Sequence, residues 1–513
     1  MFARVHSAAV LGVDGYIVEV ETDLEFKLPS FATVGLAEGA VRESKERVTS
    51  AIKNSGFPFP QKRVTINLAP ADIKKEGSGF DLPIAVGILA ADRRIPPGGL
   101  EKYVLVGELS LDGALRHVKG VLSITLAARD KGFEGVIVPA EDAGEAALVD
   151  KIKVIPAVDL KEVVYFLSGQ ENLEEHPHIE IETMTSDHTS DIDFSDVKGQ
   201  AHVKRALEVA AAGSHNVLMI GPPGSGKTML ARRISGILPG MTLDEALETT
   251  KIHSVAGVLK RDNPLVIERP FRDPHHTISD VALIGGGTNP RPGEVSMAHN
   301  GVLFIDEMPE LGKKTIEVLR QPLEDGNVTI ARSKYSVTYP ASLMLVVAMN
   351  PCPCGHLTDP SHACTCTPYQ VQRYLAKISG PILDRIDIHV DVPAVRYRDL
   401  AGDSGSIESS DDVRSRVNSA RGIQKTRYCH MRKVHANAHL EPRGIKRYCA
   451  IDDDGEKILR RAIDTFGFSA RAYHRILKVA RTIADLDGGG EILTRHISEA
   501  VQYRTLDRNL WIK

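Results

Sequence analysis

An apolar run that ends in a glycine-rich turn constrains the fold of this chain more than any other feature. Residues 221–228, GPPGSGKT, match the phosphate-binding pattern G-x-x-x-x-G-K-[ST] and directly follow the apolar run Asn216–Ile220. This pattern binds nucleotide phosphates when it joins a strand to a helix, because its glycines let backbone N–H groups surround the phosphate oxygens. The sequence therefore predicts an α/β domain with an ATP site. The predicted nucleotide-binding residues are Gly221, Pro222, Pro223, Gly224, Ser225, Gly226, Lys227 and Thr228.

Four polar side chains are predicted to perform the chemistry at this site. Lys227 is placed to reach the β- and γ-phosphates, and Thr228 is placed to bind Mg²⁺ through its hydroxyl. A second apolar run, Gly301–Ile305, ends in two carboxylates. Of these, Asp306 is expected to hold Mg²⁺ through water and Glu307 to polarise the attacking water. Because both acids follow the strand, the predicted activity is ATP hydrolysis rather than nucleotide binding alone.

A third apolar run ends in Asn350, an amide that is placed to orient the same water. In this order, the glycine-rich turn, the acidic strand end and the asparagine resemble the Walker A, Walker B and sensor 1 elements of AAA+ ATPases. Residues 381–389, PILDRIDIH, are similar to the arginine-finger segment of the magnesium-chelatase branch of AAA+ proteins, and residues 469–474, SARAYH, resemble a sensor 2. The resemblance implies that Arg385 reaches the nucleotide of a neighbouring subunit, that Arg471 is the sensor 2 arginine, and that the chain forms a hexameric ring.

Four of the six cysteines lie in one short loop. They form two C-x-C pairs separated by nine residues, and they are Cys352, Cys354, Cys364 and Cys366. Such a loop suits a structural Zn²⁺ site that closes around four thiolates. Two alternatives stay open, namely a ligand set in which His356 or His362 replaces one thiolate, and four free thiols. Clustered cysteines of this kind are typical of metal binding in a reducing compartment, so the cytoplasm is the expected location.

Longer stretches resemble one family nearly from end to end. They include RPFRDPHHTIS at residues 269–279, KISGPILDRIDIHV at residues 377–390 and MFARVHSAAVLGVDGYIVEVE at the N-terminus. The chain is similar to the YifB/ComM proteins, which are magnesium chelatase-like AAA+ ATPases. The resemblance implies a motor that uses ATP to promote branch migration of DNA recombination intermediates during natural transformation. It also implies branched, single- and double-stranded DNA, and recombination proteins, as partners.

Two other activities share the same ATPase residues. One is a chelatase-type motor that drives Mg²⁺ insertion into porphyrin with partner subunits, and the other is a chaperone that remodels proteins. The N-terminal domain and the cysteine cluster favour the DNA motor, because neither resembles a feature of the chelatase motor subunit.

A basic turn supplies the predicted DNA contacts. Residues 324–340 alternate in a β pattern on both sides of Arg332, Lys334 and Tyr335, which predicts a hairpin. The hairpin stands where related ring-shaped helicases have a pore hairpin. Arg332 and Lys334 are therefore expected to contact DNA phosphates, and the aromatic side chain of Tyr335 is expected to stack on a base. The alternative is an exposed turn with no such role. Residues 411–450, with ten Lys and Arg against three acids, are a second candidate DNA surface.

The N-terminal part resembles a protease domain without its catalytic residues. The stretch VGELSLDGALR at residues 106–116 is similar to the Lon-type protease domain, of the ribosomal S5 domain 2-like fold, which supports a Ser–Lys dyad. The region that matches the nucleophile, residues 79–86, contains no serine. Ser78 is too early, and Leu122 takes the place of the lysine. The resemblance therefore implies an inactive protease fold used for assembly or DNA contact.

These patterns divide the chain into four parts and exclude several classes of protein. The predicted parts are the Lon-like domain at residues 1–168, an acidic linker at 169–193, the AAA+ core at 194–395 and a helical lid at 396–513. A hydrophobic content of 42% and 25% charged residues exclude a mainly disordered chain. No apolar run approaches the roughly 20 residues that a membrane-spanning helix needs, and no export signal is expected at the N-terminus.

Overall fold

A computed structural model gives the structure of most of the chain. It describes residues 1–35, 39–71, 73, 75, 77–180, 192–260, 263–287, 290–331, 336–359, 361–394, 408–431 and 434–506. The chain divides into two compact units. Unit 1 contains Met1–Thr185 and Leu243–Ile267, and unit 2 contains Ser186–Thr242 and Glu268–Lys513.

Strands and helices alternate along both units, which confirms the predicted α/β class. The strands are β1 (Phe2–Leu11), β2 (Asp14–Glu25), β3 (Ser30–Val34), β4 (Arg63–Ala69), β5 (Tyr103–Leu105), β6 (Glu108–Leu109), β7 (Leu115–Arg116), β8 (Gly135–Pro139), β9 (Lys153–Ala157), β10 (Val217–Ile220), β11 (Phe271–Arg272), β12 (Gly285–Gly286), β13 (Arg291–Pro292), β14 (Val302–Ile305), β15 (Asn327–Ala331), β16 (Ser336–Pro340), β17 (Met344–Met349) and β18 (Ile388–Asp391). The helices are α1 (Gly39–Asn54), α2 (Asp81–Ala91), α3 (Val121–Asp130), α4 (Ala143–Ala146), α5 (Leu160–Leu167), α6 (Ala201–Gly213), α7 (Lys227–Ile237), α8 (Leu243–Ala256), α9 (Asp280–Ile284), α10 (Glu294–Met297), α11 (Lys313–Glu317), α12 (Arg320–Asp325), α13 (Pro368–Leu375), α14 (Gly380–Leu383), α15 (Ser410–Arg427), α16 (Pro442–Tyr448), α17 (Asp453–Phe466), α18 (Ala470–Leu486) and α19 (Thr494–Gln502).

Unit 1 is built on a mixed sheet. Among the described residues its strand order is β3-β4-β2-β1-β5-β8-β9, with β1 and β2 forming a long antiparallel hairpin. Helix α2, DLPIAVGILAA, is apolar on all sides and packs against this hairpin, as expected for a helix that is surrounded by protein. The region that matches a Lon nucleophile forms the start of this buried helix. Here the Ser78 hydroxyl is hydrogen-bonded to Glu108, and Leu122 is fully buried in α3.

A segment from the middle of the chain belongs to unit 1. Helix α8 and the residues after it, Leu243–Ile267, pack in this unit, although the sequence prediction included them in the AAA+ core at residues 194–395. The physical reason is a set of contacts distant in sequence. The Ser254 hydroxyl of α8 donates to the Glu145 carboxylate at 2.5 Å, and α8 contacts α3. Such pairings leave no local pattern, so this excursion was not predictable from the sequence.

Unit 2 contains a parallel sheet and a set of helices that share one apolar core. The sheet order is β11-β14-β17-β10-β18, and all neighbouring strands in it run parallel. Its strands are almost entirely apolar because helices cover both faces of such a sheet. Buried residues of α15, α17, α18 and α19 belong to the same cluster as those of the sheet. The predicted helical part is therefore present, and it packs as part of unit 2.

No helix in the part of the chain that the structure describes is both long and apolar enough to cross a membrane.

Candidate functional site

Three neighbouring strands of unit 2 bring the predicted ATP residues to one edge of the sheet. In the parallel register Ile220 lies opposite Met349, and Ile305 lies opposite Val347. The glycine-rich turn leaves β10, Asp306 leaves β14, and Asn350 leaves β17 at the carboxyl ends of these strands. Because such ends form the usual ligand crevice of a parallel sheet, the register alone assembles a candidate active site.

Lys227 is held inside the glycine-rich turn at the start of α7. Gly224 and Gly226 have φ angles of +74° and +85°, which glycine adopts without a steric penalty. The Lys227 ammonium donates to the carbonyls of Gly221 and Pro222 at 2.8 and 2.9 Å, and to Asn350 Oδ1 at 3.2 Å. Burial lowers the pKa of Lys227, while the charges of the nearby acids oppose that effect. The structure thus joins the predicted phosphate-binding cation to the predicted sensor.

The two predicted magnesium ligands contact each other directly. The Thr228 hydroxyl donates to Asp306 Oδ2 at 2.7 Å, and the other oxygen of that carboxylate accepts the backbone N–H of Glu307 at 2.9 Å. A hydroxyl and a carboxylate side by side are the hard oxygen donors that Mg²⁺ selects. These residues therefore fit a magnesium ion.

Glu307 is exposed at the end of β14 and has an unusual backbone. Its φ is +50°, in the left-handed region that a residue with a Cβ rarely occupies. Such a conformation costs about 1–3 kcal/mol and persists only where the surroundings enforce it, often at a functional position. The two residues that follow Glu307, Met308 and Pro309, are buried. This strain is independent support for Glu307 as the residue that acts on water.

Arg385 is paired with the Glu324 carboxylate, and the charge of Arg471 acts on the same group. Arg385 is 3% exposed, and its guanidinium donates to Glu324 and to the Pro381 carbonyl, the latter at 2.6 Å. Arg471 lies exposed in the first turn of α18. A hydrogen bond from Arg385, assisted by the charge of Arg471, holds the pKa of Glu324 below its usual range. Sequence reasoning missed Glu324, because its role depends on packing between distant segments.

Asp387, the acid two residues after Arg385, anchors the Arg385 segment to the sheet. Asp387 is fully buried, accepts the backbone N–H of Asn216 at 3.0 Å and pairs with Arg475 of α18. Burial alone would raise the pKa of Asp387, but Arg475 and His215 overcome burial and hold it below its usual range. The side chain of Asn216 in turn donates to the Arg385 carbonyl at 2.9 Å. The start of β10 is therefore fixed to both the arginine segment and α18.

The four clustered cysteines converge in the loop between β17 and α13. The Cys352 sulfur lies 3.4 Å from that of Cys354 and 3.7 Å from that of Cys364, and the Cys354–Cys364 separation is 3.6 Å. All four sulfurs, including that of Cys366, lie within 4.8 Å of one another. Tetrahedral zinc with bonds of about 2.3 Å places its sulfurs about 3.8 Å apart. The cluster therefore has the size of a four-thiolate metal site.

Backbone N–H groups surround two of these sulfurs. Those of His356 and Thr365 face the Cys354 sulfur and hold its pKa down to about 5. Burial raises the pKa of Cys352 to about 12, although the backbone N–H groups of Leu357 and Gly355 face this sulfur and lower its pKa. The amide hydrogens therefore favour the thiolate form, which is the metal-binding form, at Cys354, whereas burial opposes it at Cys352.

The cysteine loop packs directly on the nucleotide site. Gly355 has a φ of +86°, and a Cβ at this position would lie 2.5 Å from the Cδ of Pro223 in the glycine-rich turn and 3.8 Å from the side chain of Asn350. Tyr374 of α13, the helix that follows the cluster, hydrogen-bonds to the backbone of Asn350. Burial raises the pKa of Tyr374, and the nearby charge of Glu307 adds to the effect. Sequence reasoning missed Gly355 and Tyr374, although both follow Asn350 closely in the chain.

The predicted basic hairpin is present, but its tip lies outside the described residues. Strands β15 and β16 pair antiparallel, from Asn327 opposite Pro340 to Ala331 opposite Ser336. The predicted DNA contacts Arg332, Lys334 and Tyr335 fall between these strands in sequence and are not described.

Three family models match the chain. The model described as magnesium chelatase, subunit ChlI, matches residues 193–400, the model for subunit ChlI of Mg-chelatase matches residues 20–142, and the model for the ChlI C-terminal part matches residues 407–504. Together these models match both units.

Complete proteins are similar to the chain over nearly its whole length. The competence protein ComM of Haemophilus influenzae is 46% identical over 510 residues, which is 99% of this chain and 98% of that protein. The protein YifB of Salmonella typhimurium is 45% identical over 511 residues, with the same coverage. Lon protease 2 of Bacillus subtilis is 32% identical over 157 residues, 28% of this chain and 27% of that protein. The predicted combination of an AAA+ core with a Lon-like domain is thus confirmed.

The contact between Gly355 and Pro223 predicts a kinetic effect at the ATP site. We expect Gly355→Ala to reduce kcat/KM for ATP by about tenfold to a hundredfold, because the new methyl group displaces the glycine-rich turn by a fraction of an ångström or more. The measurement is steady-state ATP hydrolysis. Gly132→Ala is the matched control, since Gly132 has a similar φ of +81° and a methyl group added there would meet no atom within 4 Å. Equal kcat/KM values in the two variants would contradict the contact.

Proposed function

The chain belongs to the YifB/ComM family of magnesium chelatase-like AAA+ proteins, and from that membership we propose that it is an ATP-driven DNA motor. It forms a hexameric ring in the cytoplasm and promotes branch migration of recombination intermediates during natural transformation. The observation that carries the ATPase part is the convergence of Lys227, the Thr228–Asp306 pair and Glu307 at one edge of the sheet. The extensive identity with a competence protein supports the DNA part.

Each residue of the site has a distinct task in hydrolysis. Lys227 exchanges its carbonyl acceptors for oxygens of the β- and γ-phosphates, while Asn350 keeps its amide beside the ammonium. Thr228 and Asp306 hold Mg²⁺, which supplies positive charge that offsets the charge of the phosphates. Glu307, exposed beside this pair, accepts a hydrogen bond from water and directs the oxygen lone pair at the γ-phosphate. Asn350 orients the same water from the neighbouring strand.

The arginines are assigned to communication between subunits. Arg385 reaches the nucleotide of the adjacent subunit, and Arg471 acts as sensor 2. In the single chain the guanidinium of Arg385 is paired with Glu324, so it must exchange that carboxylate for a phosphate when it acts in a ring. Both partners are anions of similar geometry, and the exchange therefore needs no change in the charge state of the arginine.

DNA is assigned to the basic hairpin tip. Arg332 and Lys334 contact phosphates, and Tyr335 stacks on a base, with the described strands β15 and β16 as their support. The second candidate is a chelatase-type motor for Mg²⁺ insertion into porphyrin, which the descriptions of the matching family models favour. Protein remodelling uses the same ATPase residues and is a third. A DNA substrate distinguishes the first from the other two, because only a DNA motor is stimulated by it.

The central test is ATP hydrolysis with and without a four-way DNA junction. We expect the junction to stimulate turnover and to be converted to separated duplexes. Lys227→Ala should lose nucleotide binding, whereas Glu307→Gln should bind ATP and hydrolyse it about 100-fold more slowly or worse, because it cannot act as a base. Turnover that no DNA stimulates would refute the DNA motor, and normal hydrolysis by Glu307→Gln would refute its assignment.

A subunit-mixing experiment tests the ring. We expect neither Arg385→Ala nor Lys227→Ala alone to hydrolyse ATP at more than a small fraction of the normal rate. A mixture should regain part of the activity, because some interfaces then combine an intact glycine-rich turn with an intact arginine from the neighbour. The measurement is ATPase rate against mixing ratio, together with the mass of the assembly. Absence of recovery in confirmed mixed rings would show that Arg385 does not act between subunits.

The hairpin assignment is tested by charge removal at its tip. Arg332→Ala with Lys334→Ala should weaken DNA binding, reduce the salt slope of binding by roughly one for each lost phosphate contact, and stop branch migration. ATP hydrolysis without DNA should persist. The control is Lys457→Ala with Arg460→Ala, which removes the same charge from the exposed face of α17. Normal branch migration by the hairpin variant would transfer the assignment to residues 411–450.

We assign Zn²⁺ to Cys352, Cys354, Cys364 and Cys366, whose sulfur separations suit a tetrahedral ion. Cys352→Ser with Cys364→Ser should lose this metal and lower the unfolding temperature, because structural zinc contributes its binding free energy to folding. Cys429→Ser is the control, since Cys429 is an exposed cysteine elsewhere in unit 2. Elemental analysis gives the metal content. Wild-type protein without zinc, after purification free of chelators, would contradict the assignment.

A further inference from the structure

A second group of metal-binding side chains lies inside the cysteine loop. His356, Asp359 and His362 follow one another at intervals of three residues between Cys354 and Cys364. The Nδ1 atoms of the two histidines both face Asp359 Oδ2, at 3.1 Å and 3.0 Å. The three donor atoms lie within 4.8 Å of one another. Two imidazole nitrogens therefore meet at one carboxylate oxygen, and the three donor atoms are close enough to bind one ion.

The carboxylate is oriented by a fourth residue. The backbone N–H of Ser361 donates to Asp359 Oδ1 at 2.8 Å, and the Ser361 hydroxyl donates to the same oxygen. These bonds occupy one oxygen of Asp359 and leave Oδ2 to the histidines. Metal sites are commonly arranged in this way, with an outer hydrogen bond fixing the direction of an inner ligand.

Burial differs strongly among the three side chains. The Asp359 side chain is 5% exposed, whereas those of His356 and His362 are 32% and 68% exposed. The centres of the imidazole rings lie 5.0 Å apart and the rings are tilted by 38°, so both rings lie beside the same carboxylate. An ion bound to these three side chains would have the buried carboxylate on one side and solvent on the other.

The distances agree with a bound transition metal ion. Zinc bonds of about 2.0–2.2 Å to nitrogen and oxygen place tetrahedral ligands about 3.3–3.5 Å apart. The observed contacts of 3.0 and 3.1 Å are within a few tenths of an ångström of that separation. Two imidazoles with one carboxylate are a donor set that suits Zn²⁺ and its neighbours in the first transition row better than Mg²⁺ or Ca²⁺.

We propose that His356, Asp359 and His362 form a second metal site of this protein, for Zn²⁺ or a similar divalent transition metal ion. It is separate from the thiolate site, because the four sulfurs already lie within 4.8 Å of one another without a histidine. The alternative ligand set, in which a histidine replaces a cysteine, is thus unnecessary. With three protein ligands, the second ion keeps a position for water or another exogenous ligand, and it exchanges more readily than the ion enclosed by thiolates.

With the second site occupied, two metal ions would restrain the loop, and the ion bound by thiolates would be held more tightly. The thiolates join the two ends of the loop, and the second site fixes its middle. Gly355, the residue that packs against the glycine-rich turn, lies between Cys354 and His356 and so between the two sites. The occupied second site consequently holds the loop against the ATP-binding residues on a side that the thiolates alone leave unconstrained.

Metal stoichiometry tests the proposal with the full-length protein. We expect one zinc per chain when a chelator buffers free zinc at a low level, and two per chain at micromolar free zinc. His356→Gln with His362→Gln should bind one under both conditions. The control is His275→Gln with His276→Gln, since these histidines also stack, with ring centres 4.1 Å apart, but His275 Nδ1 contacts the Thr277 hydroxyl instead of a carboxylate. That variant should bind two.

Cobalt substitution shows which site each ion occupies. The first equivalent of Co²⁺ should produce a strong thiolate charge-transfer band, and the second should add only weak visible bands from nitrogen and oxygen ligands. The His356→Gln, His362→Gln variant should keep the charge-transfer band, which also shows that its loop is folded, and lose the second response. A single ion per wild-type chain at micromolar zinc, or two ions in this variant, would overturn the proposal, and the histidines would then be hydrogen-bond partners of Asp359 only.

Discussion

The register of three adjacent parallel strands is the constraint on which the rest of unit 2 depends. Ile220 lies opposite Met349 and Ile305 opposite Val347, so β10 and β17 end level with each other and β14 ends two residues earlier at the same edge of the sheet. A slip of one residue would turn every side chain to the other face of the sheet, and the close packing on both buried faces disfavours such a slip. The hydrophobic core therefore sets the positions of the polar residues at the edge, and the hydrogen bonds among Lys227, Asn350, Thr228 and Asp306 follow from it.

The parts of this site that were predictable from sequence are those encoded locally. The glycine-rich turn, the acidic strand end and Asn350 each stand next to an apolar run, and the observed strands differ from those runs by one residue at most. The hairpin of β15 and β16 was also predictable, because its alternation of apolar and polar residues is local. In each case a short stretch of sequence contains both the element and the residue that the element positions.

The contacts that could not be predicted join segments distant in sequence. Glu324 pairs with Arg385 across 61 residues, and Asn216 reaches Arg385 across 169. The Ser254–Glu145 bond that accompanies the placement of α8 in unit 1 spans 109 residues. None of these residues belongs to a periodic pattern, and a charged side chain on a helix is ordinarily assumed to be solvated. Only the tertiary structure distinguishes a buried partner such as Glu145 from an exposed acid.

The cysteine loop needs a source of stability other than the hydrophobic core to remain ordered beside the nucleotide site. A loop of this length without secondary structure loses much conformational entropy when it is ordered, and few apolar contacts are available to compensate for that loss. The zinc site that we propose would supply the missing free energy at the two ends of the loop through thiolate ligation. Because the loop begins directly after the Asn350 strand end and places Gly355 against Pro223, order in the loop also restrains the glycine-rich turn. The precision of the ATP site therefore depends on order in a loop that itself contributes no residue to phosphate binding.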